Sequence, residues 1–302
     1  MTNLTLKQLR YFEALARHGH FGRAADDCAI TQPALSMQIK ELEESLGNPL
    51  FERAPRAIRL TRFGTLFAER ARKILREVEE LEDLARMAGD RLSGALRLGV
   101  IPTVAPYLLP RIIAKLGVSH PEIDLHLRET TTPKLLQELG EGKLDAAIIA
   151  LPVSEPTLTE TPLFRENFVL VRPEADRGRP VPTPDNLRKM RLLLLEEGHC
   201  FRDQALSFCD MSDHHPREML DGSSLATLVQ MVGAGIGVTL IPEMAVPVET
   251  RSAAVAVSQF SEPRPSRLIG MVWRKTTPLA PQLASICETV RQATTPLPNT
   301  AA

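Results

Sequence analysis

From Phe67 onward the apolar residues Phe67, Ala71, Ile74, Val78, Leu81, Ala85 and Ala88 recur at intervals alternating four and three, with charged residues filling the other positions. A period of 3.5 held over this span predicts one helix roughly 35 Å long with a single apolar seam. The strict alternation favours pairing with a second copy over packing on its own domain. Gly89-Asp90-Arg91-Leu92-Ser93-Gly94 is the break that follows. The chain therefore reads as a short head, a linker helix and a long C-terminal body.

The head opens with Thr5-Leu6-Lys7-Gln8, the form of a capping box. Leu6, Leu9, Phe12, Leu15 and Ala16 follow at helical spacing, and Gly19 ends that helix. A short helix from Arg23 to Cys28 comes next. Thr31-Gln32-Pro33 then supplies an N-cap with proline in the first turn. Leu35, Ile39, Leu42 and Leu46 put one apolar stripe on this third helix, with Pro33, Ser36, Met37 and Lys40 opposite and Gln32 at its tip. Helix, short helix, tight turn and polar-faced helix is the order of a helix-turn-helix, whose last helix enters the DNA major groove. The run Phe51 to Arg62 sets four arginines against one glutamate, and short extended pieces around Pro55 would make a wing reaching phosphate or a minor groove. The net charge of −1 means that any DNA-binding surface is local.

Thr31-Gln32-Pro33-Ala34-Leu35-Ser36 together with Leu50-Phe51-Glu52-Arg53 resembles the DNA-binding domain of the LysR-type transcription regulators over residues 4–62. That resemblance implies that Gln32, Pro33 and Ser36 approach bases, with Lys40 on the same face, and that Arg53 and Arg56 serve the backbone or minor groove. Met37 stands on this face without a charge, left to a thymine methyl or to no contact.

After Gly94 the pattern turns to strand and helix in alternation. Ala95–Val100, Ile123–Leu127 and Ala146–Ala150 read as strands, with helices Val104–Leu116 and Pro133–Glu141 between them. A second series runs from a strand Phe168–Val171 through a helix Ser223–Val232 and a strand Val238–Ile241. A strand Leu268–Trp273 and a helix Leu279–Ala293 close the chain. Buried apolar strands alternating with helices predict parallel α/β sheets. Two such units, with the last strand and helix returning to the first, give two lobes and a cleft. This is similar to the effector domain of LysR-type regulators, itself like periplasmic binding proteins. The expected fold class is thus α/β: a winged helix-turn-helix (1–62), a coiled-coil linker (63–91) and a two-lobed regulatory domain (92–302). Lobe I takes 92–166 and 268–302, and lobe II takes 167–267.

Gly233-Ala234-Gly235-Ile236-Gly237 stands between helix and strand, the reverse of a dinucleotide fingerprint, so it reads as a turn. His214-His215 lacks a second ligand pair and reads as a polar loop. No metal or cofactor is expected. Cys28, Cys200, Cys209 and Cys287 form neither a zinc pattern nor a secreted disulfide framework. No signal peptide or membrane-spanning run is seen, which predicts a cytosolic protein whose thiols start reduced.

Two of those cysteines lie in Gly198-His199-Cys200-Phe201-Arg202-Asp203-Gln204-Ala205, continuing to Phe208-Cys209. A strand end at Leu192–Leu195, a turn at Gly198 and a helix opening near Cys200 would place one thiol at a helix N-terminus, where it ionises more easily. His199 and Arg202 would push the same way if they faced it. Cys209 lies nine residues on, about 13 Å away along a helix. A disulfide needs Cα atoms roughly 4.4–6.8 Å apart, so joining the two would unwind the segment. Free cysteines are also commonly small buried residues, and the residues alone leave both readings open.

This segment resembles the peroxide-sensing members of the LysR-type regulators. The resemblance implies that Cys200 reacts with hydrogen peroxide and pairs with Cys209, with Thr103, Thr132, His199, Asp203 and Arg267 around the peroxide. It also implies a homotetramer (a dimer of dimers), contact with RNA polymerase on promoter DNA, and control of antioxidant genes such as catalase. From the residues, Thr132 reads as an N-cap, and Phe201 and Phe208 as packing the reduced helix onto the core. Cys28 falls in the second helix of the head, buried and inert. A LysR-type regulator answering a small metabolite in its interlobe cleft is the alternative. A thiol peroxidase is the rival from another class, but catalysis needs neither a DNA-binding head nor a coiled coil, so no enzyme is expected.

Overall fold

The computed structural model describes residues 4–54, 57–87, 94–208 and 220–294. The chain divides into two units, Met1–Ala85 and Arg86–Ala302.

In the first unit α1 (Leu6–His18), α2 (Phe21–Asp27) and α3 (Gln32–Leu46) are followed by β1 (Phe51–Ala54), β2 (Ala57–Leu60) and α4 (Arg62–Met87). The predicted capping box at Thr5 is formed, and Gly19 closes α1 in the left-handed region. α2 starts two residues earlier than its sequence suggested because His20 caps it: Nδ1 accepts from the N–H groups of Gly22 and Arg23. Thr31 caps α3 through Ala34 N–H, with Pro33 in the first turn. Leu35, Ile39 and Leu42 are buried against Phe12 and Leu15, and each such side chain contributes about 1.5–3 kcal/mol by leaving water. β1 and β2 pair antiparallel from Phe51↔Leu60 to Ala54↔Ala57, giving the wing.

α4 does not stand apart as a separate linker. Ala68 and Ala71 are buried in the head core and Phe67 packs beside them. The first two positions of the seam are therefore used within the chain, whereas Ile74 and Leu81 stay exposed, at 41% and 63%.

The second unit runs β3 (Gly94–Val100), α5 (Ala105–Ser119), β4 (Ile123–Glu129), α6 (Thr132–Gly140), β5 (Ala146–Leu151), β6 (Leu158–Pro173), α7 (Pro184–Leu187), β7 (Leu192–Leu195), α8 (Cys200–Phe208), β8 (Leu220–Gly222), α9 (Leu225–Gly233), β9 (Val238–Pro242), α10 (Val246–Glu249), β10 (Val255–Gln259), β11 (Ser266–Arg274) and α11 (Ala280–Thr294). The strands lie in the order β4-β3-β5-β11-β6-β9-β7-β8, with β10 also on β6. One core gathers β3, β5, β11, α5 and α11; a second gathers β7, β9, α8, α9 and the end of β6. These are lobes I and II.

The sheet is mixed, not parallel throughout. β3 pairs parallel with β4 and β5, and β7 with β8 and β9, but β6, β10 and β11 run antiparallel to their neighbours. β6 is also far longer than its apolar tail. Its first part, Leu-Thr-Glu-Thr-Pro-Leu-Phe-Arg-Glu-Asn, is buried only at Leu158, Leu163 and Glu166, so it lacks the continuous apolar run of a strand covered on both faces. β6 joins the lobes: its last pair with β11 is Asn167↔Ser266, and its first with β9 is Phe168↔Pro242. The glycine run after α9 is a turn, as read. A side chain on Gly237 would meet the Arg191 carbonyl oxygen at 2.3 Å.

Candidate functional site

β7 ends at Leu195 and α8 begins at Cys200. Between them Gly198 holds φ at +93°, a conformation that side-chain-bearing residues rarely adopt. Cys200 is half-buried and packs against the lobe I core. Phe201, its neighbour, is buried in lobe II, edge-on to Phe168 with ring centroids 4.8 Å apart. Phe208 meets Phe260 in the same way at 5.1 Å. Both aromatic expectations hold. Cys209, like His214 and His215, lies outside the described residues.

Cys200 lines a narrow crevice together with Ile101, Pro102, Thr103, Thr131, Thr132, His199 and Phe201. Three of the five residues predicted around the peroxide thus stand together with Cys200. Thr132 is not the N-cap of α6; Thr131 is, because the helix begins one residue earlier than read. The Thr132 hydroxyl is consequently free of that duty, buried and without a hydrogen-bond partner. Burial pushes the His199 imidazole below its ordinary pKa, opposed in part by the Glu196 carboxylate. At neutral pH it is therefore a neutral hydrogen-bonding group and not a cation beside Cys200. Arg202 is spent elsewhere, donating to the Leu195 carbonyl at 2.7 Å and to Asp221 at 2.5 Å. Cys200 itself opens α8, at the end of the helix where the backbone dipole is positive.

Asp203 and Arg267 differ from expectation. Asp203 is exposed in the first turn of α8, where a carboxylate complements the helix dipole, and does not line the crevice. Arg267 is buried behind Thr103: Nη1 donates to Thr103 Oγ1 at 2.7 Å and Nη2 to the Thr103 carbonyl at 3.0 Å. Its Nε donates to Glu166 Oε2 at 2.8 Å, and its guanidinium carbon lies 5.4 Å from the centre of the Phe201 ring. Glu166 had no sequence signal, since it sits in the polar first part of β6, ahead of the strand read at Phe168–Val171.

Beside the crevice a cleft of about 390 Å³ opens between the lobes, sharing Pro102, Thr103, Thr131 and His199 with it. The Tyr107 hydroxyl crosses this cleft to donate to Glu249 at 2.6 Å.

On the head, Gln32, Pro33, Met37 and Lys40 are exposed along α3 and Ser36 is half-exposed. Lys40 pairs with Glu44 at 3.5 Å. Arg53 stands on β1 opposite Ile58, and Arg56 lies outside the described residues. Cys28 is the C-cap of α2 rather than an interior residue and is half-buried; burial, then Asp27, raises its thiol pKa. Cys287 is fully buried against Met271 and pushed up to about 11, mainly by burial. Among the described residues no group of three His, Cys, Asp or Glu is disposed to hold a metal, and no helix is long and apolar enough to cross a membrane.

Residues 6–65 match the bacterial regulatory helix-turn-helix proteins of the lysR family, and residues 89–295 match the LysR substrate binding domain. The chain is 42% identical over 292 residues, 95% of each protein, to the DNA-binding transcriptional dual regulator OxyR of Escherichia coli K12. The chain belongs to the OxyR group of the LysR family. Among other OxyR relatives, a probable hydrogen peroxide-inducible genes activator of Streptomyces viridosporus is 42% identical over 97% of this chain and 96% of its own. A full-length OxyR from Pseudomonas aeruginosa carrying a cysteine-to-aspartate substitution superposes with a TM-score of 0.75 at 36% identity, covering 96% of this chain and 95% of that one. A Corynebacterium glutamicum OxyR cysteine mutant with hydrogen peroxide bound gives 0.66 at 34% identity, covering 96% and 92%.

Proposed function

We propose that this OxyR-type chain is a DNA-binding transcription regulator that senses hydrogen peroxide at Cys200. The observation that carries the reading is a half-buried thiol at the first residue of α8, sharing a crevice with Thr103 and with the unpartnered Thr132 hydroxyl. The Cys200 sulfur attacks one peroxide oxygen as thiolate. An S–O bond forms, the O–O bond breaks, and the hydroxide that leaves takes a proton to become water. The sulfenic acid then condenses with the Cys209 thiol, releasing a second water and leaving a disulfide. α8 carries Cys200 at one end and its aromatic anchors along its length, so this bond draws the helix out of its packing.

The head reads promoter DNA with Gln32, Pro33, Ser36 and Lys40 of α3 and reaches the backbone with Arg53 and Arg56. The exposed Ile74 and Leu81 of α4 pair two copies, and dimers associate further into a tetramer that contacts RNA polymerase from the cytoplasm. Peroxide is consumed about once per thiol pair; the protein is a sensor and not an enzyme. The interlobe cleft keeps the metabolite reading as the alternative. Footprinting on promoter DNA with and without peroxide, wild type against Cys200→Ser, tests the proposal. The variant should bind DNA and show no peroxide-dependent change. A full change in the variant would assign sensing to the cleft instead.

A further inference from the structure

Glu166 on β6 stands directly across from Arg267 on β11, and both side chains are buried. One carboxylate oxygen, Oε2, accepts from Arg267 Nε at 2.8 Å and lies 2.7 Å from Nη2 in the same ion pair. The other accepts from the backbone N–H of Met244, in lobe II, at 3.1 Å. The guanidinium plane is thus fixed from behind, and its remaining edge is offered to Thr103, with Nη1 2.7 Å from the hydroxyl oxygen. A hydroxyl carries one proton. Because Thr103 Oγ1 already accepts from a cation, its own proton is directed to another acceptor, and Thr103 lines the crevice that holds Cys200. Accepting a charge-assisted bond also makes the hydroxyl a stronger donor.

We propose that Glu166 is a positioning residue for peroxide reduction, acting through Arg267 to orient the Thr103 hydroxyl toward the oxygen that leaves. This rests on the reading of Cys200 as the peroxide-reactive thiol. As the thiolate sulfur forms its bond to one oxygen and loses two electrons, negative charge gathers on the other. A donor already aimed at that position stabilises it without reorganising. Glu166 touches neither thiol nor peroxide.

The test compares two reagents on the same thiol in the full-length reduced protein. The rates of Cys200 oxidation by hydrogen peroxide and of its alkylation by iodoacetamide are followed by mass spectrometry of quenched samples. Iodoacetamide needs an exposed thiolate but no oriented donor for a departing hydroxide. Glu166→Gln should lower the peroxide rate constant about tenfold or more, with alkylation changed less than about twofold. Thr103→Val should lose a similar factor, and the double variant should be no slower than Thr103→Val alone, because the effect passes through that hydroxyl. Should the glutamine variant fail to fold, Glu166→Asp, which keeps the charge and displaces it, should show the same selective loss. A wild-type peroxide rate in these variants, parallel loss with both reagents, or losses that multiply in the double variant would overturn the proposal. If peroxide leaves wild-type Cys200 unoxidised, the sensing reading itself fails, a result separable from any of these.

Discussion

Cys200 and Phe201 are adjacent in the chain yet pack into different lobes, the thiol against the lobe I core and the ring into that of lobe II. The first turn of α8 is therefore a seam between lobes, and chemistry at the sulfur acts on both cores at once.

Truncating the ring should be costly. Phe201→Ala is expected to destabilise the reduced protein by about 3–5 kcal/mol, the range for deleting a buried aromatic side chain. Denaturant unfolding of the reduced form measures it. A loss under about 1 kcal/mol would mean that α8 is not anchored as described.

Stability should fall on acidification because of His199. Its imidazole is held below the ordinary value of 6.5 in the folded state by burial. Below pH 6.5 the unfolded chain takes up the proton first, so this contribution is present above that pH and is lost as pH falls toward the folded value. Unfolding curves at pH 7.5 and 5.5 should differ more for wild type than for His199→Gln. Equal differences would remove His199 from the pH dependence.

On DNA, the helix tip and the wing should separate. Gln32→Ala is expected to cost about 1–3 kcal/mol, mainly at one base position. Arg56→Ala should weaken all sequences alike and flatten the salt dependence by about one phosphate contact. Titrations on specific and random duplexes across salt concentrations distinguish them, and identical losses for both variants on both duplexes would count against the groove assignment.

Association should depend on the outer part of α4. Leu81 is 63% exposed and outside the head core. Leu81→Glu should therefore yield a folded head and a smaller assembly by sedimentation, whereas an unchanged mass would place the contact elsewhere.

The head was legible nearly residue by residue, because caps, proline and the apolar stripe of α3 are local signals. The lobes were legible as alternation, but the antiparallel strands were not. β6 hides its first part in a polar, proline-containing run, and its partners lie a hundred residues away at β11. The crevice followed the same division. Thr103, Thr132 and His199 line one crevice with Cys200, each close to a strand end or helix start. Asp203 missed because one face of α8 points to water. Glu166 and the indirect role of Arg267 arise from a cross-strand register that no local pattern encodes. Thr131 was passed over as the N-cap because its position is set by where the backbone turns helical; its hydroxyl makes no capping bond.

The Phe168–Phe201 and Phe208–Phe260 contacts also bear on the oxidant level at which the thiols respond. If disulfide formation draws α8 out of its packing, stabilisation that exists only in the reduced form raises the midpoint potential of the couple. About 1.4 kcal/mol corresponds to about 30 mV for a two-electron exchange, and an edge-on aromatic pair is worth about 0.5–1.5 kcal/mol beyond its buried area. Rings that never touch peroxide would thus set the redox threshold of the switch. Sequence changes at Phe168 or Phe260 could retune it while leaving the reacting sulfur and its hydrogen-bonding partners untouched.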